Sequence, residues 1–180
     1  MVQFLQQLPA LAGVVVGALA SYLATSAAER ARWRRSQSVR WDERRVDAYA
    51  DFSHALKRCL MLSQRIAASS GYASAAQPIE PAVGLDLLAK AEEGRASQWE
   101  RVLLLGDAAT IEAAREWLVE GWRMEWFARG LLTGEAGWLD ACESGKACRQ
   151  RFYDAARRDL GIHAKFPPDT PSPRFPRAAP

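Results

Sequence analysis

The chain has 180 residues, 25% of them charged, and a formal net charge of +3. This length leaves room for one domain with a hydrophobic core, and the odd number of cysteines, three, argues against a secreted disulfide framework. The basic excess is concentrated at residues 29–67, which hold ten basic and five acidic side chains. Nucleic acid is therefore not an expected partner, because the rest of the domain, residues 68–162, is mildly acidic.

The N-terminal 28 residues carry no charged side chain, and Leu8 to Ala28 form an uncharged, mostly apolar run. A helix needs about 20 such residues to cross the hydrocarbon of a bilayer. The run therefore predicts a transmembrane anchor in residues 1–28. Two alternatives stay open: a cleaved signal peptide with Ala18-Leu19-Ala20 at its cleavage site, and a buried core helix.

An arginine cluster follows the predicted span directly. Short arginine-rich flanks stay in the cytoplasm and contact anionic lipid headgroups. We therefore expect a single-pass protein of the plasma (inner) membrane with its N-terminus outside and its soluble domain in the cytoplasm. The arginines concerned are Arg30, Arg32, Arg34 and Arg35.

A small-residue motif lies inside the span, where Gly13 and Gly17 form a GxxxG pair. Such a pair places two glycines on one helix face and permits close dimerisation of spans. Ordinary small residues facing lipid are an equally good interpretation.

Four helices are predicted after the arginine cluster. Apolar residues recur at helical spacing up to Ile66, and since neither Pro nor Gly falls between Gly17 and Gly71, the anchor is expected to continue into the first helix. A loop is predicted over 67–84, followed by helices over 85–105, 108–130 and 135–160, with Gly106 in a left-handed conformation and Asp107 as a helix cap.

The predicted fold class is all-α, with an N-terminal transmembrane helix continuing into an antiparallel four-helix bundle. The predicted domains are the anchor at 1–28, a cytoplasmic helical bundle at 29–162 and a disordered proline-rich tail at 163–180. The tail carries two PxxP spacings, which an aromatic groove recognises in extended peptides but which also arise in any proline-rich segment.

Few residues offer chemistry. The two histidines, His54 and His163, have no carboxylate or cysteine at a ligand spacing; His54 is expected to be partly buried on the apolar face of the first helix. The glutamates at 112, 116 and 120 are predicted to form a solvated row, because no Glu-x-x-His motif accompanies them. No catalytic residue, cofactor or metal site is predicted, and the cysteines are expected to act as small buried hydrophobes.

Tryptophans are concentrated in the second half of the bundle. Trp122, Trp126 and Trp138 suggest an aromatic ligand pocket between the third and fourth helices. Tryptophans at this spacing more often belong to a core or a subunit interface, which is the favoured interpretation.

The segment from Arg40 to Phe52, RWDERRVDAYADF, directly behind an N-terminal span, resembles a family of uncharacterised single-pass membrane proteins of high-GC actinobacteria. Leu103 to Asp107 and the later Ala113-Ala114 are similar to a second stretch of that family. The resemblance implies an anchored α-helical protein and no activity or site residues.

The functional hypothesis is a membrane-tethered, non-enzymatic helical interaction or scaffolding module. Its expected partners are inner-membrane lipid, a further copy of the chain and an unknown protein. The alternative hypothesis is a small-ligand-binding sensor or small enzyme that uses the predicted tryptophan pocket.

Overall fold

The computed structural model describes Tyr22 and residues 41–163, and residues 41–163 form four helices joined by loops. Helix α1 covers 41–69, α2 Pro81–Leu105, α3 Ala108–Ala128 and α4 Glu135–Asp159. No strand occurs in this part of the chain, which confirms the all-helical prediction. The bundle belongs to a compact unit that begins at Arg44.

Several predictions fall on other parts of the chain. Apart from Tyr22, the predicted span with Gly13 and Gly17 lies outside the described residues, as do the predicted headgroup arginines at 30, 32, 34 and 35 and the tail after His163. None of the helices in the described ranges is both long and apolar enough to cross a membrane.

Helix α2 begins at Pro81, four residues before the predicted start. Proline suits the first helical position because its missing N–H would have no intrahelical acceptor there. The Glu80 carboxylate caps the helix by accepting from the backbone N–H groups of Ala82 and Val83, at 3.1 and 2.7 Å. These bonds lower the pKa of Glu80. The loop prediction was too long because Pro81 and Gly84 were taken as loop signals, whereas both belong to α2.

The link between α2 and α3 is two residues long. Asp107 accepts from the backbone N–H of Thr110 at 2.7 Å, which confirms the predicted cap. The prediction of a left-handed Gly106 was wrong, because its backbone is extended, with φ −79° and ψ 152°. Glycine is needed there for space: an added Cβ would lie 2.9 Å from the Val102 carbonyl oxygen and 3.3 Å from Tyr49 Oη.

Consecutive helices run antiparallel, because residues near the end of one helix contact residues near the start of the next. Helices α1 and α3, which are not consecutive, approach closely at Gly121, where an added Cβ would lie 2.9 Å from Leu56 Cδ1. The pairs that define the antiparallel order are Asp51–Arg101 and Ile66–Gly84 for α1 and α2, Arg95–Glu125 and Glu92–Arg129 for α2 and α3, and Glu116–Arg151 and Arg123–Asp140 for α3 and α4.

The core consists of three apolar clusters. The first is aromatic, with Phe52, Trp117 and Phe152 fully buried at its centre. The second lies mainly between α1 and α2, and the third surrounds Trp138 near the α3–α4 loop. Burial of large aromatic side chains at this density supplies most of the hydrophobic stabilisation of a small bundle.

Candidate functional site

Trp138 is a core residue. Its side chain is fully buried, and Nε1 donates to the Ala73 carbonyl oxygen at 2.8 Å. The ring packs against Tyr72 and Phe127 with centroid distances of 5.6 and 5.9 Å. These contacts attach the loop between α1 and α2 to α4, so Trp138 has a structural role.

Trp122 and Trp126 lie on the outer surface of α3. Their side chains are 40% and 46% exposed, and Val119, one turn earlier, is 45% exposed. The spacing i, i+3, i+7 places the three on one helix face. We call Val119, Trp122 and Trp126 the α3 ridge. The structure therefore does not bring these two tryptophans together with Trp138 as a pocket.

Charged residues flank the α3 ridge at both ends. Before it, the Arg115 guanidinium donates to the Glu112 carboxylate, an exposed contact within α3. After it, Arg129 Nη2 lies 2.7 Å from Glu92 Oε1 on α2. The outer face of α3 is thus an apolar centre between two pairs of opposite charges.

A cavity of about 310 Å³ lies between α1, α3 and α4. We call it the α1–α3–α4 cavity. Each of α1 and α4 contributes four residues at i, i+3, i+4 and i+7, which is one face of each helix. The lining residues are Lys57, Leu60, Met61 and Gln64 from α1, Trp117 and Met124 from α3, and Cys142, Gly145, Lys146 and Arg149 from α4.

The polar part of this lining is cationic. Lys57 Nζ lies 5.3 Å from the centroid of the Tyr153 ring, and Lys146 Nζ donates to Glu143 Oε1 at 2.6 Å. Arg149 supplies the third positive charge, and the lining contains no carboxylate. The opposite walls are apolar or sulfur-containing. The site therefore combines three cations and Gln64 with apolar and sulfur-containing side chains.

Trp117 forms the deep wall of the cavity. Its ring is fully buried and packs against Phe152 at a centroid distance of 5.6 Å. Its Nε1 has no hydrogen-bond acceptor among the described protein groups. A buried donor without an acceptor costs about 1–3 kcal/mol.

Cys142 is the one thiol in the lining. Burial raises the pKa of its thiol to about 11, against the smaller opposing effect of Lys146. A thiol with this pKa is neutral near pH 7, and the thiolate is the reactive form. The cavity can therefore bind a molecule but offers no activated cysteine for covalent chemistry.

The remaining predicted polar residues are mostly at the surface. His54 and His163 are exposed, so the prediction of a partly buried His54 was wrong: the helical phase turns residue 54 away from the core while Phe52 and Ser53 are buried. The prediction of a solvated glutamate row holds for Glu112 and Glu116, which are exposed, whereas the Glu120 side chain is only 20% exposed; Glu112–Arg115 and Glu120–Arg123 form the predicted i, i+3 pairs. Among residues 41–163, no three His, Cys, Asp or Glu side chains cluster as metal ligands.

The cysteines are free thiols. Cys59 and Cys148 are buried, as predicted, and Cys142 is half-buried beside the cavity. Burial raises the pKa of Cys59 to about 11 and also raises that of Cys148. All three therefore behave as neutral, mostly apolar side chains.

A charged pair between α2 and α3 is buried. The Arg95 guanidinium on α2 donates to the Glu125 carboxylate on α3, and both side chains are less than 10% exposed. Burial raises the pKa of Glu125, and the adjacent Arg95 acts in the opposite direction. The pair joins the two helices through their shared interface, away from the cavity.

The chain matches no protein-family model, no curated protein and no solved structure. The assignment of a function therefore depends on the geometry of the α3 ridge and the α1–α3–α4 cavity.

Sequence reasoning missed the cavity and the buried ion pair. A usable signal for the cavity was present, because Lys57, Leu60, Met61 and Gln64 mix cations with apolar residues at one helical spacing, as do Cys142, Gly145, Lys146 and Arg149. No comparable signal marked Arg95 and Glu125, which look like solvated charges until the two helices are placed together.

Proposed function

We propose that this chain is a membrane-tethered, non-enzymatic helical interaction module that pairs with a second copy of itself through the α3 ridge. The supporting observation is the exposure of two tryptophans and a valine on one face of α3. Tryptophan and arginine are the residues most enriched among those that dominate binding energy at protein interfaces. Exposed apolar groups bordered by charges are typical of interaction sites.

The spacing along the outer face of α3 makes it self-complementary. In an antiparallel pair of identical helices, a residue of one copy lies level with a residue of the other copy when their two numbers add up to a fixed value. The sums 119 + 122, 115 + 126 and 112 + 129 all equal 241. Val119 of one copy would then face Trp122 of the other across a twofold axis, as an isologous interface requires.

The same register matches the charges. Arg115 would lie beside Trp126 of the second copy, where a guanidinium interacts favourably with the aromatic face. Glu112 would lie beside Arg129 of the second copy at each end of the interface. From residue 112 to residue 129 the contact is about 25 Å long, at a rise of about 1.5 Å per residue.

A Trp126→Glu variant of the full chain is expected to dissociate into monomers. The carboxylate would remove the aromatic contact and place a buried charge against the interface of the second copy. The expected rise in the dimer dissociation constant is about thirtyfold or more, equivalent to about 2 kcal/mol. Light scattering and sedimentation of the full chain in an uncharged amphipathic polymer would measure it.

The matched control is Leu104→Glu, which changes a more exposed leucine on α2, outside the α3 ridge, and should leave the dimer intact. A charge swap tests the register: Glu112→Arg and Arg129→Glu should each weaken pairing, and the two together should restore it. We expect a dissociation constant of about 1 μM or lower. A wild-type chain that is still strictly monomeric at a concentration of about 100 μM would contradict the proposal.

The tether is the second part of the proposal. Residues 1–28 would span the inner membrane with Arg30, Arg32, Arg34 and Arg35 at the cytoplasmic headgroups, and Gly13 and Gly17 would permit contact between spans. Support comes from the uncharged run and from the arginines that follow it.

A C-terminal epitope tag is expected to stay with membranes after an alkaline carbonate wash. In intact spheroplasts treated with protease, the tag should also be protected, because positive flanks remain on the cytoplasmic side. Release of the tag into the medium, or its digestion from outside, would contradict the tether and its orientation while leaving the test of pairing unaffected.

A further inference from the structure

We propose that the α1–α3–α4 cavity is a binding site for a small apolar carboxylate. The expected ligand has one negative charge and a hydrophobic body, and about ten to twelve non-hydrogen atoms. The site lies on the inner side of α3 and is separate from the α3 ridge, so this inference stands independently of the proposed pairing.

The charge of the ligand follows from the lining. Three cations, Lys57, Lys146 and Arg149, border the cavity, and none of the lining residues is acidic. Glu143 contacts Lys146 from outside the lining, and Lys57 also lies over the Tyr153 ring. Lys146 is thus paired with Glu143, and a lining of cationic side chains without a carboxylate favours anions over cations.

The body of the ligand follows from the remaining walls. Leu60, Met61 and Met124 present flexible apolar surface, and methionine adapts well to irregular ligands. At about 30 Å³ for each water-sized unit of volume, a cavity of about 310 Å³ holds roughly ten such units. An aryl or medium-chain acid fits this space.

Trp117 supplies aromatic surface to the site. It lines the cavity and is fully buried, and its Nε1 is enclosed by the surrounding protein, so the indole contributes apolar surface and not a hydrogen bond to a ligand. Cys142, with its neutral thiol, adds no covalent step, so the inference concerns binding alone.

The full chain contains an internal reporter for this site. It has three methionines, of which Met61 and Met124 line the cavity while Met1 does not. Methyl NMR of methionine-labelled full chain in an uncharged amphipathic polymer would follow a titration with 4-phenylbutyrate. Saturable shifts of the Met61 and Met124 signals without a shift of Met1 are the expected result.

Two comparisons test the role of charge. The neutral analogue 4-phenylbutanol should bind about tenfold more weakly than 4-phenylbutyrate. The Lys57→Gln/Lys146→Gln double variant should weaken binding of the acid by about tenfold and leave the alcohol unchanged, because it removes two partly exposed charges. Equal affinity of the acid and the alcohol, or an unchanged double variant, would overturn the anion site.

A further pair of variants tests the location. At Gly145 an added Cβ would meet only Met124 Sδ, at 3.8 Å, so alanine fits and should retain binding. The rest of a leucine side chain would occupy the cavity, and Gly145→Leu should abolish binding. Undiminished binding in folded Gly145→Leu, or no saturable shift at Met61 and Met124 in the wild type, would contradict the proposal. If Gly145→Leu does not fold, the proposal is tested by the affinities of the acid and the alcohol for the wild type and for the lysine double variant.

Discussion

An Arg95→Ala variant is expected to lose about 3–5 kcal/mol of its free energy of unfolding. Arg95 is the partner of the Glu125 carboxylate, and both side chains lie between α2 and α3 with less than a tenth of their surface exposed. Without the guanidinium, the carboxylate would remain buried and uncompensated. Urea unfolding of the full chain, followed by far-ultraviolet circular dichroism, would measure the loss.

The pH dependence of this loss identifies its cause. Burial already raises the pKa of Glu125 above its ordinary value of 4.5, and removal of Arg95 would raise it further. In the unfolded chain the carboxyl ionises near 4.5, whereas in the folded variant it keeps its proton to higher pH. The stability of Arg95→Ala should therefore fall as the pH rises above about 4.5, and its deficit relative to wild type should open once the pH exceeds the raised pKa of Glu125 in the wild-type fold and close below it.

Two controls separate a buried charge from a general loss of packing. Glu143→Gln breaks an exposed ion pair with Lys146 and should change stability by less than about 1 kcal/mol. Replacing both buried partners, as Arg95→Met/Glu125→Leu, should recover most of the loss, because an apolar pair needs no charge compensation. A double variant as unstable as Arg95→Ala would mean that the ion pair itself, and not burial of an unpaired charge, governs the effect.

A Phe152→Ala variant is expected to lose a similar amount of stability, about 3–5 kcal/mol. Phe152 is fully buried, and its ring centroid lies 5.5 Å from that of Phe52 and 5.6 Å from that of Trp117. Truncation removes buried apolar surface from α4 and opens a cavity that the fully buried rings around it cannot fill. Thermal and urea unfolding would both report the change.

The control for this variant lies on the same helix. Leu139 is 46% exposed, so Leu139→Ala should change the free energy of unfolding by about 0.5 kcal/mol or less. Phe152→Leu keeps most of the volume and should cost less than Phe152→Ala. Equal stabilities for Phe152→Ala and Leu139→Ala would mean that the aromatic cluster is not the centre of the folding core.

Helix α3 connects the two candidate surfaces. Its inner face carries Trp117 and Met124 to the cavity, whereas its outer face carries the α3 ridge. The residues of the two sites lie on opposite sides of one helix, so each can be changed without altering the other. The oligomeric state and the methionine shifts are therefore independent measurements.

Much of the bundle was predictable from the sequence because apolar periodicity and helix caps are local signals. The cap at Asp107 and the start of α4 at Glu135 are in the predicted places. The start of α2 was missed by four residues, since a proline was taken as a loop signal when it occupies the first helical position. Gly106 was misassigned because glycine is needed there for space beside the Val102 carbonyl oxygen and Tyr49 Oη, and not for a left-handed backbone.

The sequence by itself determined four amphipathic helices and the short turns between three of them. Each of these depends on neighbours within a few residues along the chain. Only the tertiary structure decided which tryptophans are buried, that Arg95 meets Glu125, and that a cationic cavity opens between α1, α3 and α4. These depend on the rotation of each helix about its axis, which packing between helices sets and local periodicity leaves undetermined.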